Sequence, residues 1–460
     1  MMRDAAPDPQ FEHARMPIVA ELVKNLREQR FHFGANVMLF GVQHIMAQTL
    51  GLTSALRSLG IAPENIALCG KPYSTHGGTV EALRRDGVMT VTARRYRCDR
   101  LQSDQQIEDL NALSEAFLQR RQLVGDSIVL VLDDGGHALT RFNQLTTSPY
   151  RIAGVEQTAS GFWQPGFREV PFPVVDVGAS ACKRLLEPDL IVDAAMARAL
   201  NAIEGRTKGL RLGIIGLGYL GTALASRLEA EGAELSVFDR RPSPMKRFKR
   251  HAAESIHSVF DRSDVIFGCA GLDVTAGLFD ECNLRGLTTR QRTLISLSSG
   301  DDEFFSLKSA LLSNGNYASG TYEVDDIPDI CGDLWGSSFR ILRNGFPVNF
   351  DNSAESVPLE HIQGTVAALV IAICQTYKYA MTIGDRPNIG RVMLDVRAQR
   401  WLFKRWRWVV PHGEGGPPST PDVTSIVRYS SLRTRPKSRN YSDHFARWTS
   451  EKPHFEHGRK

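Results

Sequence analysis

The chain has 460 residues, which at roughly 100–200 residues per domain predicts about two to four domains. Hydrophobic residues make up 42% and charged residues 23%, which excludes a fibrous or wholly disordered chain. The formal net charge of +4 is too small to predict nucleic-acid binding, but it is unevenly spread. From Arg397 to Lys460, 14 Lys and Arg face 5 Asp and Glu, a net of +9, so the first 396 residues carry −5. No apolar run reaches the roughly 18 residues of a membrane span. The best run, 366–374, is half that, and the acidic, proline-containing start lacks an apolar signal core. A cytoplasmic protein with no membrane partner is expected. Cys69, Cys98, Cys182, Cys269, Cys282, Cys331 and Cys374 are scattered singly with no CxxC, which argues against a disulfide framework and a metal site.

Residues 1–10 read as a loose arm. Helical periodicity over 16–30 (Ile18, Val19, Leu22, Val23, Leu26) predicts an amphipathic helix. A short apolar run at 37–40 is followed by a helix over 46–59 and a buried strand at 66–69. A loop at 70–78, a helix near 79–85 and a strand at 88–91 come next. A helix over 103–123 has Ser103 as its expected N-cap, and SIVLVL at 127–132 is a strong strand stopped by Asp133-Asp134-Gly135-Gly136. Alternating strand and helix signals predict a doubly wound parallel α/β sheet.

The clearest unit is a strand at 210–215 running into Gly216-Leu217-Gly218-Tyr219-Leu220-Gly221, then a helix over 222–231 and a strand at 234–238 ending at Asp239. The glycines of GxGxxG permit a tight turn and close approach of a pyrophosphate to backbone, and the following helix presents N–H groups to it. Asp239 lies 18 residues after Gly221, where it can accept hydrogen bonds from an adenosine ribose. NAD is therefore the expected cofactor, since an acid at this position repels a 2′-phosphate. Further strands are expected at 265–267, 293–297 and 339–342, and a long apolar helix over 361–375. The basic tail starts with Trp401, Trp406 and Trp408 among Lys404, Arg405 and Arg407, with a flexible linker at 411–421. Its tryptophans read as anchors for docking on a neighbouring subunit rather than as a nucleic-acid surface.

Over residues 30–375, motifs in this order resemble the S-adenosylhomocysteine hydrolase family. LFGVQHIMAQTLGLTSALRSLG is similar to an early helix carrying a substrate-site histidine, and KPYSTH to a substrate loop. LDDGGH, GVEQTASG and VVDVGASACKRL resemble the Asp-Asp-Gly-Gly turn, a cofactor loop and the catalytic-lysine segment. GIIGLGYLG and VFDRRP resemble the cofactor fingerprint and ribose acid, and NYASGTYEVD and GFPVNF two later active-site segments. The resemblance implies two Rossmann-like domains. A substrate domain would run over 12–190 and be completed by 349–396. An NAD-binding domain would occupy 191–348, with the basic tail at 397–460.

It also implies a reaction: transient oxidation of a nucleoside at C3′ by NAD, removal of the C4′ proton and elimination of the 5′ substituent. Lys183 would assist the oxidation, and Asp134, His44 and Glu156 would be the other catalytic groups. Gly216, Gly218, Tyr219, Leu220, Gly221, Asp239, Thr158, Ser160 and Asn349 would hold NAD. Met46, Gln48, Ser74, Thr75, Gln157, Glu187 and Thr321 would contact substrate. No metal is implied, and a homo-oligomer, dimer or tetramer, is expected.

The sequence departs from the family pattern within the site. Gln157 replaces a glutamate, Glu187 an aspartate, Pro188 an asparagine and Thr321 a histidine. Met46 and Gln48 replace a threonine and a glutamate at the base pocket. Kept redox groups beside altered water-handling groups predict a lyase or dehydratase rather than an ordinary hydrolase. The alternatives are a true S-adenosylhomocysteine hydrolase and a non-catalytic NAD-binding regulatory module. A third is an amino- or hydroxy-acid dehydrogenase, for which no arginine clamp is identifiable.

Overall fold

The computed structural model describes residues 15–92, 95–121, 125–145, 150–167, 170–203, 209–276, 278, 287–314, 321–323, 326–334, 336–382 and 390–409. The expected arm at 1–10, the linker at 411–421 and most of the basic tail lie outside the described residues.

In chain order the strands are β1 (Val37–Gln43), β2 (Ile66–Gly70), β3 (Met89–Val91), β4 (Arg95–Arg97), β5 (Ile128–Asp133), β6 (Arg151–Glu156), β7 (Pro173–Asp176), β8 (Arg211–Ile215), β9 (Glu234–Phe238), β10 (Val265–Gly268), β11 (Gln291–Ser296), β12 (Thr321–Glu323), β13 (Ile330–Leu334), β14 (Ser337–Ile341) and β15 (Gly390–Met393). Seven of them form one sheet in the order β15-β7-β6-β5-β1-β2-β3, every neighbouring pair parallel. Six form a second sheet, β13-β14-β11-β10-β8-β9, parallel except for the β13–β14 hairpin. The protein is an α/β protein with two Rossmann-like parallel sheets.

Every residue of β1, β2 and β5 is buried, which is why these strands read as continuous apolar runs and not as alternating ones. Alternation reappears in what each face meets. Val37 and Leu39 of β1 join the core that includes the helix Leu359–Met381. Met38, Phe40 and Val42 pack on the other face, with Leu110, Leu113 and Phe117 of the helix Gln102–Arg121. In the second sheet, Leu212 and Ile214 of β8 meet Leu224 and Leu228 of the helix Tyr219–Ala230, while Ile215 faces the opposite core.

Strand order reverses at β1 in the first sheet, with β2 and β3 on one side and β5, β6 and β7 on the other. It reverses at β8 in the second. Crevices open beyond the carboxyl ends of strands at such points, and ligands of doubly wound sheets bind there.

Several sequence expectations are corrected. GVEQTASG, expected as a loop, begins as strand β6, and VVDVGASACKRL, for which no strand was expected, begins as β7. The helix Gln102–Arg121 is not capped by Ser103: Asp301, from after β11, accepts a 3.0 Å bond from the Gln102 N–H. The long apolar helix extends to Met381 and is long and apolar enough to cross a membrane, but 89% of its apolar window is buried in the fold, as in a core helix. The start of the basic tail is a helix, Val396–Val409, and Trp401 and Trp406 are buried against their own chain rather than left free for a neighbour. The Trp406 indole donates a 2.5 Å bond to the carbonyl of His361.

Candidate functional site

Crevice one lies beyond β1, β2, β5 and β6. The chain leaves β1 at His44, β2 at Lys71, β5 at Asp134 and β6 at Gln157, so the fold gathers four polar side chains from distant points in the sequence. Asp134 is the hub. One carboxylate oxygen pairs with the Lys71 ammonium, and the other accepts from the Gln157 amide and lies 3.2 Å from His44 Nε2. His44 Nδ1 sits 2.5 Å from the Ser74 hydroxyl, and its ring stacks on Phe350 at 4.6 Å with an interplanar angle of 21°.

Burial would discharge these groups if each stood alone, and the partners decide the outcome. Burial pushes the Asp134 carboxyl up, but Lys71 and His44 together hold it well below the usual carboxylate range. Burial works against the Lys71 ammonium, and Asp134, Tyr73 and Glu156 outweigh it, so the pKa of Lys71 is raised. For His44 burial wins over Asp134, and the imidazole is shifted toward its neutral form.

Lys183 approaches from the short helix Ala181–Leu185, whose first turn is capped by the Ser180 hydroxyl accepting from the Lys183 N–H. Its ammonium lies 2.6 Å from Glu187, one helical turn on. Pro188 falls in the first turn of the helix Glu187–Ala202, where its missing N–H costs no intrahelical bond.

His44, Asp134, Gln157, Lys183, Glu187 and Phe350 line one cleft of about 180 Å³, whose wall also includes Leu220, Leu297, Ser298, Ser299 and Asn349. Gln48 Oε1, Gln157 Oε1, Asn349 Oδ1 and Thr365 Oγ1, all on this lining, are buried with no hydrogen-bond partner among the described residues. Buried polar atoms are normally satisfied, so four orphans on one cavity wall mark a place built for a ligand rich in polar groups.

Crevice two lies beyond β8, β9 and β10 and is lined by Gly216, Gly218, Asp239, Arg240, Arg241, Cys269 and Ala270 around about 310 Å³. Gly216 has φ of +95°, and a Cβ there would stand 2.7 Å from the Ala270 nitrogen. A Cβ on Gly221 would stand 1.9 Å from the Gly216 carbonyl. Only glycine permits this turn and the close packing of helix on strand. Asp239 accepts 2.7 Å from the Leu217 N–H and is gripped by Arg241. Burial works against its charge, but Arg241 keeps the carboxyl below its ordinary value.

The residues expected at the site separate into groups. His44, Gln48, Asp134, Gln157, Thr158, Lys183, Glu187, Leu220 and Asn349 come together on the first cleft, and Gly216, Gly218 and Asp239 on the second. Others stand apart. Glu156, expected to be catalytic, is fully buried beneath the cleft, where its carboxylate accepts from Gly135 N–H at 3.2 Å and Thr158 N–H at 2.7 Å. Burial and the neighbouring Asp133 push its pKa well up, and its hydrogen bonds brace two loops. Met46 is buried off the cleft lining, Thr75 bonds the Lys71 carbonyl, Ser160 bonds Thr158 from an exposed position and Tyr219 is exposed. The backbone of Thr321 pairs with Arg97 in the β12–β4 ribbon, and its side chain lies outside the described residues. The second-sheet wall is made instead by Leu297–Ser299, directly after β11. Lys71, Ser298, Ser299 and Thr365 were not singled out from sequence. For Lys71 the signal is its place as the first residue of KPYSTH, the segment similar to a substrate loop, at the end of a buried strand.

Residues 181–301 match the family model of the NAD-binding domain of D-isomer-specific 2-hydroxyacid dehydrogenases. The cofactor is NAD. A protein of Mycobacterium tuberculosis described as uncharacterized is 29% identical over 366 residues, 77% of this chain and 68% of that one. The adenosylhomocysteinase of Thermoplasma volcanium is 26% identical over 234 residues, 49% of this chain and 53% of that enzyme. That of Sulfolobus acidocaldarius is 24% identical over 239 residues, 49% and 51% of the two chains. The chain thus carries over residues 181–301 an NAD-binding domain like that of these dehydrogenases, and a distant likeness to adenosylhomocysteinases over half its length.

Proposed function

We propose that the protein is an NAD-dependent enzyme that acts on a nucleoside by transient oxidation at C3′, removal of the C4′ proton and loss of the 5′ substituent. The net reaction is that of a lyase or dehydratase. The observation that carries this reading is the single cleft joining Lys183, His44 and Asp134 to Leu220 and Asn349 of the cofactor side. NAD, when bound, supplies the two-electron oxidant for a secondary alcohol and returns the electrons at the end. Lys183, whose ammonium lies 2.6 Å from Glu187, first passes a proton to that carboxylate and then, as the amine, takes the proton of the 3′-hydroxyl. The ketone then acidifies the adjacent C–H, and the Asp134 carboxylate, with His44 beside it, receives that proton. His44 passes that proton from Asp134 to the departing 5′ group, and return of the two electrons to C3′ restores the alcohol, so no net oxidation occurs. Gln157, bonded to Asp134, is an amide and cannot take a proton, which supports elimination without a second acid–base group for adding water back.

A 2-hydroxyacid dehydrogenase reading is disfavoured by the absence of any arginine on the cleft lining among the described residues. Carboxylate substrates are best held by such a bidentate donor. The test is to add candidate nucleosides to the pure protein with NAD and follow absorbance at about 340 nm, the nicotinamide band, together with deuterium entry at C4′ in D2O. Cofactor reduction with C4′ exchange is expected. Reduction by 2-hydroxyacids and none by nucleosides would overturn the reading.

A further inference from the structure

Lys71 is a lysine almost completely removed from water, 5% exposed, paired with Asp134 of a cleft whose lining cation, Lys183, already has a role. It leaves β2 and reaches across to the end of β5, where its ammonium meets Asp134, itself 2% exposed. Three neighbours point at the Asp134 carboxylate: Lys71 Nζ, Gln157 Nε2 and His44 Nε2. The first two can only donate. A protonated Asp134 could donate only to the His44 ring nitrogen, and it would then stand uncharged against the buried Lys71 ammonium, leaving that charge without a counter-charge. The carboxylate is therefore ionised, His44 Nε2 carries a proton toward it, and Nδ1 is left to accept from the Ser74 hydroxyl at 2.5 Å. One buried charge thus fixes both the ionisation of Asp134 and the tautomer of His44.

We propose that Lys71 is a positioning residue for the proton transfers of this cleft, its buried ammonium holding Asp134 as a carboxylate and His44 as the Nε2-protonated neutral tautomer before substrate arrives. The inference rests on the elimination reading for its purpose, but not for its geometry. A purely structural brace between β2 and β5 would hold the strands without governing the protons. The other titratable groups facing the pair are Tyr73 after β2, Asp133 on β5, Glu156 on β6, His137 on the helix His137–Asn143, and Lys183.

The test is histidine-selective NMR of the full-length protein with NAD bound, the His44 resonance among the 12 histidines being assigned with His44→Gln. In Lys71→Met, removing a neighbouring cation and leaving Asp134 should raise the pH at which His44 takes up a proton by about one unit or more. Lys71→Arg should leave it near the wild-type position. A folded Lys71→Met protein whose His44 titrates as wild type would overturn the proposal. Should Lys71→Met fail to fold, the wild-type ring nitrogen shifts at neutral pH decide. Protonation at Nε2 alone is expected, and Nδ1 or double protonation would overturn it. If wild type shows the expected tautomer and titration yet no nucleoside reduces the cofactor, the elimination reading fails and the role of Lys71 stands. If nucleosides reduce the cofactor while His44 ignores Lys71, the reverse holds.

Discussion

The two crevices share a topology and differ in material. Beyond β8 the fold offers backbone: a glycine turn, a helix start, and one acid whose charge is shared with Leu217 N–H and Arg241. Beyond β1 and β5 it offers side chains, with Lys71, Asp134, His44 and Gln157 locked to one another. A backbone cradle is local and suits a ligand that always looks the same. A cleft of side chains drawn from four strand ends can be changed one residue at a time without disturbing the sheet.

The sharpest way to break the comparison is Gly221→Val. The added side chain collides with the Gly216 carbonyl, so NAD affinity should fall at least about 100-fold by titration while the first crevice keeps its His44 titration. Tight NAD binding in this variant would show that the turn is not the cofactor seat. Next is Lys183→Met, which should lower the rate of nucleoside-dependent cofactor reduction by about 10²–10⁴ and leave NAD affinity within a few-fold. A smaller effect is expected of Asp239→Ala. It loses a charged acceptor worth about 1.5–3 kcal/mol and should weaken NAD by roughly ten- to a hundredfold, with improved acceptance of NADP in a competition titration.

The smallest is a pH effect from the acids beneath the first crevice. Asp133, Glu156 and Asp176 lie side by side at the ends of β5, β6 and β7, and burial pushes all three upward, Asp133 to about 7. An unfolded aspartate titrates near 3.9. Between those values the folded chain holds more protons than the unfolded one, so this contribution to stability is complete below about pH 4 and is lost as pH rises toward 7. Asp133→Asn can still accept the Leu139 N–H bond and should show a shallower fall in thermal midpoint from pH 5 to pH 8 than wild type. Parallel curves would remove Asp133 from the account.

What could be read from sequence follows the same division. The cofactor crevice was legible because its physics lies within one stretch: strand β8, the glycine turn, the helix and Asp239 at the end of β9. Strands β1, β2 and β5 were visible as apolar runs. β6 and β7 were hidden because their polar ends drew attention to the loops they feed, and β15 because its four residues are not apolar enough to stand out. The first crevice was legible only in part. His44, Asp134 and Lys183 can be named from motif order, but their mutual geometry depends on strand adjacency between residues 49 to 139 positions apart. For the same reason Lys71 looked like an ordinary loop lysine, Glu156 like a reactive acid, and Ser103 like a cap whose work is in fact done by Asp301.

Both ring nitrogens of His44 are already engaged inside the protein, one by Asp134 and one by Ser74. Any molecule that recruits this imidazole must first win it from a partner. Shape alone does not accomplish that: a compound can fill the cleft and leave the histidine where it stands. The closed pair therefore acts as a threshold, and occupancy of the site and onset of chemistry become separate events with separate selectivities.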